Sequence, residues 1–381
     1  MKLRVDRDAF AEAVAWTARA LPNRPAVPVL AGMRLEVPDG GSSLHLSGFD
    51  YEVSARSSVE VLAEEAGAAL VPGRLLAEIV RTLPGGSVHI DTDGTRVRVS
   101  GGAARFTLIT MPLEDYPTLP GMPERVGSVP ADAFAEAVRQ VTPAASRDDT
   151  LPMLTGAYLD FTGDTLSVVA TDRYRIAVRD LWWKPQDPGI DTSALVPART
   201  LHDMVRGVIG GSNVEVALSS GAAGGLAPGE GTIGFENGDR RSTTRLIDSD
   251  FVKYAAWFPA EFASRAEVAV APLAEAVKRV ALVADRHTPL RLAFTEGEVS
   301  LEAGSGEDAQ AVEAIAVDYQ GDPLRVAFRP DYLVDGLSAI GTDTAHLNFT
   351  EPTKPAVFTD VPAKEGDAPA FRYLVQPLRV S

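Results

Sequence analysis

The sequence has 381 residues, 45% hydrophobic and 23% charged, with no cysteine, which suits a soluble chain of two or three domains and excludes a disulfide framework or a thiolate metal site. No apolar run approaches the roughly 18 residues of a membrane span, and the opening Met1-Lys2-Leu3-Arg4-Val5-Asp6 alternates like a strand instead of forming a signal-peptide core, so the expected location is the cytoplasm. Thirty-six basic against 52 acidic residues leave a formal charge of −16; as a sum this disfavours nucleic acid as a partner, but only the placement of the arginines can decide.

In chain order, the first helix signal is Asp8-Ala9-Phe10-Ala11-Glu12-Ala13-Val14, after the alternating Leu3-Arg4-Val5. It returns unchanged as Asp132-Ala133-Phe134-Ala135-Glu136-Ala137-Val138 behind Gly127-Ser128-Val129, and in a weaker third copy as Leu273-Ala274-Glu275-Ala276-Val277 behind Glu267-Val268-Ala269-Val270. The unit therefore opens as a strand, a turn and an alanine-rich helix. A second element follows each copy: Leu70-Val71-Pro72-Gly73-Arg74-Leu75-Leu76, Leu195-Val196-Pro197-Ala198-Arg199-Thr200-Leu201 and Val326-Ala327-Phe328-Arg329-Pro330-Asp331-Tyr332-Leu333. Phe10 to Leu76, Phe134 to Leu201 and Leu273 to Leu333 span 66, 67 and 60 positions. Two linked motifs at near-constant separation in three places make a triplicated unit.

Strand patterns fill the rest. Leu44–Ser47 and Glu52–Ala55 flank Phe49-Asp50-Tyr51, and Thr165–Ala170 and Tyr174–Val178 flank Thr171-Asp172-Arg173. Val88–Asp91 runs into Arg96–Val99 through Asp93-Gly94, a hairpin signature. Tyr116–Pro123 and Phe258–Phe262 read as linkers, and the glycine-rich Ser219–Gly231 as a hairpin loop. The expectation is an α+β chain of three domains, 1–124, 125–262 and 263–381.

The ordered set Asn23-Arg24-Pro25 with Pro28-Val29-Leu30, Phe49-Asp50-Tyr51-Glu52, Leu151-Pro152-Met153-Leu154-Thr155-Gly156, Ala170–Val178 and Tyr373-Leu374-Val375-Gln376-Pro377-Leu378-Arg379 resembles the bacterial sliding clamp, the DNA polymerase III beta subunit. The resemblance covers the whole chain. It implies the three-domain clamp fold: a head-to-tail homodimer ring, lined by helices with antiparallel sheets outside, that holds double-stranded DNA without reading sequence. Near Phe106 and Leu108 the first domain would meet Leu282 and Val283 of the partner subunit; the plainer reading makes these ordinary core residues.

A ring that must stay on the duplex yet slide is served by phosphate-range attraction alone. Arg74 and Arg81 lie seven apart, on one helical face, and Arg199 and Arg206 repeat the spacing in the second copy. Lys278 stands where the second copy has Arg139, and similarity adds Arg24. Arginines on a surface helix also make a plain solvated face; recurrence at equivalent positions favours a lining.

The resemblance also implies a hydrophobic pocket for a short motif carried by DNA polymerase III and clamp-loader subunits. Its matching positions are Leu154, Thr171, Arg173, Tyr174, Arg175, Ile176, Val252, Ala256, Trp257, Leu374, Val375, Gln376, Pro377, Leu378 and Arg379. Val252 stands where the family commonly has proline, Ala256 where it often has arginine, Trp257 where it has a smaller aliphatic residue, and Gln376 where it usually has methionine. Such a pocket could be drift between paralogues, or a second clamp reshaped to reject a cyclic peptide inhibitor while keeping its replication partners, an antibiotic self-resistance device.

Catalysis is not expected. The five histidines, 45, 89, 202, 287 and 346, share no metal spacing, and no phosphate loop or dinucleotide fingerprint is present. Asp91-Thr92-Asp93-Gly94 lacks the later ligands of a calcium loop, and Asp172 has no evident nucleophile or second acid beside it. No cofactor or metal is expected. The remaining alternative is a protein-only scaffold that uses the repeats without encircling DNA.

Overall fold

The computed structural model describes residues 1–208, 210–219, 231–284, 288–304, 309–362, 364 and 366–378. Its α-helices are α1 (Arg7–Thr17), α2 (Gly73–Thr82), α3 (Ala131–Val141), the single turn α4 (Pro152–Thr155), α5 (Ala198–Val205), α6 (Val270–Ala281) and α7 (Pro330–Ala339). Strands make up most of the remainder, all paired antiparallel.

The repeat is visible in which side chains are buried. In α1 these include Phe10, Ala13, Val14 and Thr17; in α3, Phe134, Ala137, Val138 and Val141; in α6, Leu273, Ala276, Val277 and Val280. All three follow i, i+3, i+4, i+7, one stripe of a helix. The second set agrees: Leu76 and Val80, Leu201 and Val205, Leu333 and Leu337. Each of α1, α3 and α6 leaves directly from the strand before it (Lys2–Asp6, Glu124–Pro130, Ser264–Ala269) with no intervening turn. In α1 the last strand residue doubles as the cap: Asp6 Oδ1 accepts the N–H groups of Asp8 and Ala9, both at 3.0 Å.

A second repeated device is a tight turn. Asp50 Oδ1 accepts Glu52 N–H at 2.9 Å and Val53 N–H at 2.6 Å. Asp172 Oδ1 accepts Tyr174 N–H and Arg175 N–H, each at 3.1 Å. The residue after each aspartate is left-handed, Tyr51 at φ 74° and Arg173 at φ 82°, the only non-glycine residues of positive φ among those described. A side-chain carboxylate capping two amides offsets a conformation that L-residues resist. Asp172, considered above as a base, is thus a structural acceptor.

The described residues form two compact units. One comprises residues 1–134, 184–187 and 203–246; the other comprises 135–183, 188–202 and 247–381. In the first, a 13-stranded sheet carries α1 packed on α2. Its core runs from Leu3 and Phe10 through Leu44 and Leu76 to Val99 and Leu108. Within it, strand Arg240–Arg245 pairs with strand Val53–Glu65, so residues of the middle copy extend the sheet of the first. The second unit has a nine-stranded sheet and a four-stranded one, with α6 packed on α7. There strand Arg175–Trp182 pairs with strand Phe371–Val375, joining middle and last copies.

Two readings need adjustment. The hairpin of Ser87–Asp93 and Arg96–Gly101 pairs Asp93 with Arg96, so its tip is Gly94-Thr95 rather than Asp93-Gly94. Tyr116 and Leu119 are buried against Val29, Leu30, Phe49 and Leu70, so the linker stretch 116–123 begins packed on the first unit. In the glycine-rich stretch, the arms Asn213–Leu218 and Thr232–Asn237 pair as expected; residues 220–230 lie outside the described residues.

The turn makes a prediction. Arg173→Gly should raise unfolding stability by about 1 kcal/mol through relief of the left-handed backbone, and Asp50→Ala should lower it by about 1–2 kcal/mol through loss of the acceptor for two amide N–H groups. Urea unfolding monitored by circular dichroism reads both.

Candidate partner pocket and cationic faces

The pocket residues gather where the Asp172 turn meets the final strand. Thr171 Oγ1 accepts Arg173 N–H at 3.2 Å and donates to Arg175 O at 2.7 Å. That reversal launches strand Arg175–Trp182, in which Arg175 pairs with Val375 and Ile176 with Leu374. The tail is held beyond the strand: Gln376 N–H donates to Tyr174 O at 2.8 Å and Leu378 N–H to Ala327 O at 2.7 Å. Ile176 and Leu374 form an apolar cluster with Val169, Val178 and Val357, roofed by Tyr158, Phe251, Tyr254 and Phe258.

Burial sorts the expected residues. Leu154, Thr171, Arg175, Ile176, Leu374, Val375 and Pro377 are buried, and Val252 is half-buried. Arg173, Ala256, Gln376 and Leu378 are exposed, as are Tyr174 at 51% and Trp257 at 49%. Arg379 lies outside the described residues. Trp257 ends the single 3-10 turn Tyr254–Trp257, and it is Tyr254 and Phe258, not Trp257, that pack on the apolar cluster. The sequence reading missed this aromatic roof. Its signal was the spacing of 251, 254 and 258, the i, i+3, i+7 of a helical turn.

Arg175 is the buried centre of the site. Its Nε donates to Asp172 Oδ2 at 3.0 Å, its Nη1 to Asp335 Oδ2 at 2.6 Å and to Tyr373 Oη at 3.3 Å, and its Nη2 to Pro143 O at 2.5 Å. The guanidinium also lies 4.4 Å from the Tyr332 ring centre. Burial alone would lower its proton affinity, but Tyr373, Asp335 and Asp172 outweigh that and push it up. This arginine is a fastener, not a free partner contact.

The expected DNA-facing cations are exposed: Arg24, Arg74, Arg81, Arg139, Arg199, Arg206 and Lys278. Among the described residues Arg24, Arg81, Arg139 and Arg199 make no ion pair or side-chain hydrogen bond. Others are engaged. Arg74 Nη2 donates to Leu21 O at 2.5 Å, Lys278 pairs with Glu275 at 2.8 Å, and Arg206 sits 3.7 Å from Asp203. α5 ends at Val205, so Arg206 lies one residue past the helix and the i, i+7 pair is not wholly helical. Its carbonyl, with that of Asp203, accepts Arg19 Nη1, and Gly207 O accepts Arg240 Nη1. These two arginines, unnoticed in the sequence, close the helix end. Burial, with Arg206 nearby, lowers the Arg19 pKa. The six longer helices hold seven Lys or Arg and nine Asp or Glu, so helix composition alone is not basic.

Profiles of the N-terminal, central and C-terminal domains of the DNA polymerase III beta subunit match residues 1–120, 128–253 and 256–370. The chain belongs to this family. It is 54% identical to the beta sliding clamp of Streptomyces coelicolor over 382 residues, covering all of both chains. It is 41% identical to the beta sliding clamp homolog GriR of Streptomyces muensis over 381 residues, covering 100% of this chain and 99% of the other. Among solved structures, a sliding clamp from Pseudomonas aeruginosa bound to griselimycin superposes with a TM-score of 0.87 at 26% identity, both chains fully covered.

Two of the strands that end sheets in this sliding-clamp chain lie in the first and last copies. Ala104–Ile109 closes the 13-stranded sheet and Ala311–Ala316 the four-stranded one. Leu108 is 3% exposed within the first unit's core, so the reading of it as a contact between subunits gives way to the core reading: strand alternation turns it inward. Phe106 is partly exposed, and Ile109, on the other face, is 72% exposed. Leu282, capping α6, is 84% exposed, and Val283 is half-buried.

The histidines have ordinary settings. His45 Nδ1 lies 2.8 Å from Ser58 Oγ, His202 Nδ1 3.1 Å from Thr142 Oγ1, and His346 Nε2 3.3 Å from Glu267 Oε2. His89 is exposed, and His287 lies outside the described residues. Arg98 pairs with Asp91 at 3.1 Å and also with Asp93. No group of three metal-ligating side chains occurs among the described residues, and no described helix is long and apolar enough to cross a membrane.

Alkali offers a test of the packing around the pocket and at Tyr116 in the first unit. Burial first, then nearby charge, pushes Tyr254 and Tyr332 up to about 12; Tyr116 reaches about 12 and Tyr373 is raised as well, both by burial. A folded value above the ordinary one of roughly 10 gives stability that is complete below pH about 10 and lost as pH rises through the folded value. Phenolate absorbance should therefore show four of the eight tyrosines ionising late, together with unfolding, between about pH 10 and 12.

Proposed function

We propose that the chain is a non-catalytic processivity clamp of three domains, 1–124, 125–262 and 263–381, that closes head to tail with a second copy around duplex DNA. The observation that carries this reading is the match of all three beta-subunit domains in order along one chain. Two of the open sheet edges, Ala104–Ile109 and Ala311–Ala316, support it. An exposed strand edge with apolar side chains invites pairing, and Phe106 and Ile109 of one protomer facing Leu282 and Val283 of the next would cover both in a contact that can close a ring. Arg24, Arg74, Arg81, Arg139, Arg199, Arg206 and Lys278 would attract the phosphates without reading bases.

Size-exclusion chromatography with light scattering should give twice the chain's mass; the mass of one chain sinks the ring. Alanine at Arg74, Arg81, Arg199 and Arg206 together should weaken DNA loading and reduce the salt slope of binding by about 3–4 units. Loaded protein should stay on circular DNA and run off when it is linearised. Indifference to linearisation would favour the protein-only scaffold.

The Ile176 and Leu374 cluster, with exposed Tyr174 and Leu378 at its edge, would take the apolar anchors of a motif from DNA polymerase III or clamp-loader subunits, about 1.5–3 kcal/mol for each anchor enclosed. Trp257 and Gln376, both exposed there, are the features that would discriminate against a cyclic peptide inhibitor. Similarity to GriR and to a griselimycin-bound clamp supports this finer reading of a self-resistance copy. A polymerase-derived peptide should bind as it does to an ordinary clamp, whereas griselimycin should bind at least about tenfold more weakly. Trp257→Val with Gln376→Met should restore the inhibitor; equal binding throughout refutes the idea.

A further inference from the structure

On the face of the 13-stranded sheet turned away from the core, four neighbouring strands set Arg34, Ser47, Arg56 and Arg241 in a single row. Arg34 pairs with Ser47, Ser47 with Arg56, and Arg56 with Arg241. The next row holds Glu36, His45 and Ser58, and the N–H of Ser58 donates to Asp239 O at 3.1 Å. The intervening Leu35, Leu44, Leu46 and Val59 face the core. These polar side chains line a cavity of about 330 Å³, and Leu119 is the one large apolar residue in its wall.

The arrangement is costly as it stands. Arg56 and Arg241 are directly opposed, the register in which like charges repel. The nearby glutamates pair with the flanking arginines and leave Arg56 without a counter-ion. Glu36 pairs with Arg34 at 2.9 Å, and Glu236, beyond Arg241 in the same row, pairs with Arg241 at 2.9 Å. Asp239 is the other acid in the wall. Arg56 makes no ion pair among the described residues. Arg34 Nε is sealed from solvent with no hydrogen-bond partner, an unmet donor in a lining residue. His45 is fixed in the wall by Ser58 Oγ at 2.8 Å.

We propose that this concavity binds a phosphate group, with the guanidinium forks of Arg56 and Arg241 clasping its oxygens. Guanidinium forks match the tetrahedral oxyanion with paired, charge-assisted hydrogen bonds, and a shared anion turns the repulsion between the two arginines into a common attraction. The polar wall disfavours an apolar guest. The volume, at the small end for ligand sites, admits free phosphate or a small phosphate ester. None of the residues assigned to DNA or to partner peptides takes part.

The test titrates the full chain, in phosphate-free buffer of fixed ionic strength, with inorganic phosphate and separately with ribose 5-phosphate, using calorimetry and thermal melting. Saturable binding at one site per chain is expected, with a melting temperature raised above that in matched sodium chloride. Arg56→Gln and Arg241→Gln should each weaken binding by about tenfold or more. Without phosphate, Arg56→Gln should melt at or above the native temperature, because one repelling charge is gone; this keeps a loss of binding distinct from a loss of fold. Tighter binding of ribose 5-phosphate identifies an ester site, and equal binding a site for the free anion; both support the proposal. It is overturned if sodium chloride reproduces the shift, if neither probe saturates, or if Arg56→Gln binds phosphate like the native chain.

Discussion

The guanidinium of Arg175 is held out of water by three chain segments and a helix: the Asp172 turn, the carbonyl of Pro143, Tyr373 on the final strand and Asp335 on α7. Removing such a group strands two acids and a carbonyl, and buried charge without a partner is among the most destabilising things a fold can contain. The same residue opens the strand pairing that brings Leu374 to Ile176 and so assembles the apolar cluster. Fixing the frame from beneath leaves Tyr174, Gln376 and Leu378 free at the surface. Rigidity and exposure are thus divided between neighbouring residues of one short segment.

The repeat was legible because it is written in residues whose physics is local. The i, i+3, i+4, i+7 stripe of α1, α3 and α6 needs only one face to be apolar. The aspartate turns need only a carboxylate two and three residues ahead of two amides. The stripe survives in all three copies and the turn in the first two, irrespective of what packs around them. The pairing of Arg240–Arg245 with Val53–Glu65 was not legible, since partner choice between strands distant in sequence leaves no local trace.

The site was legible in part for the same reason. Membership of the Asp172 turn and of the tail could be read off; depth could not. Leu108 and Phe106 are two apart on one strand and share a face by alternation, yet only the first is sealed in the core. Arg206 looked helical by spacing, but α5 stops at Val205, where Arg19 and Arg240 take up the terminal carbonyls. The aromatic roof escaped notice because only Tyr254 stands in the short 3-10 turn, while Phe251 and Phe258 sit in the irregular chain on either side.

The division of the middle copy between two units bears on how the molecule is made. Strand Val53–Glu65 acquires its neighbour Arg240–Arg245 only after nearly two hundred further residues of chain. Until then the first copy, emerging from the ribosome, carries a vacant sheet border that any passing strand could fill. Synthesis is therefore the period in which this chain is most open to mispairing, and a fragment ending after residue 124 would keep that vulnerability permanently.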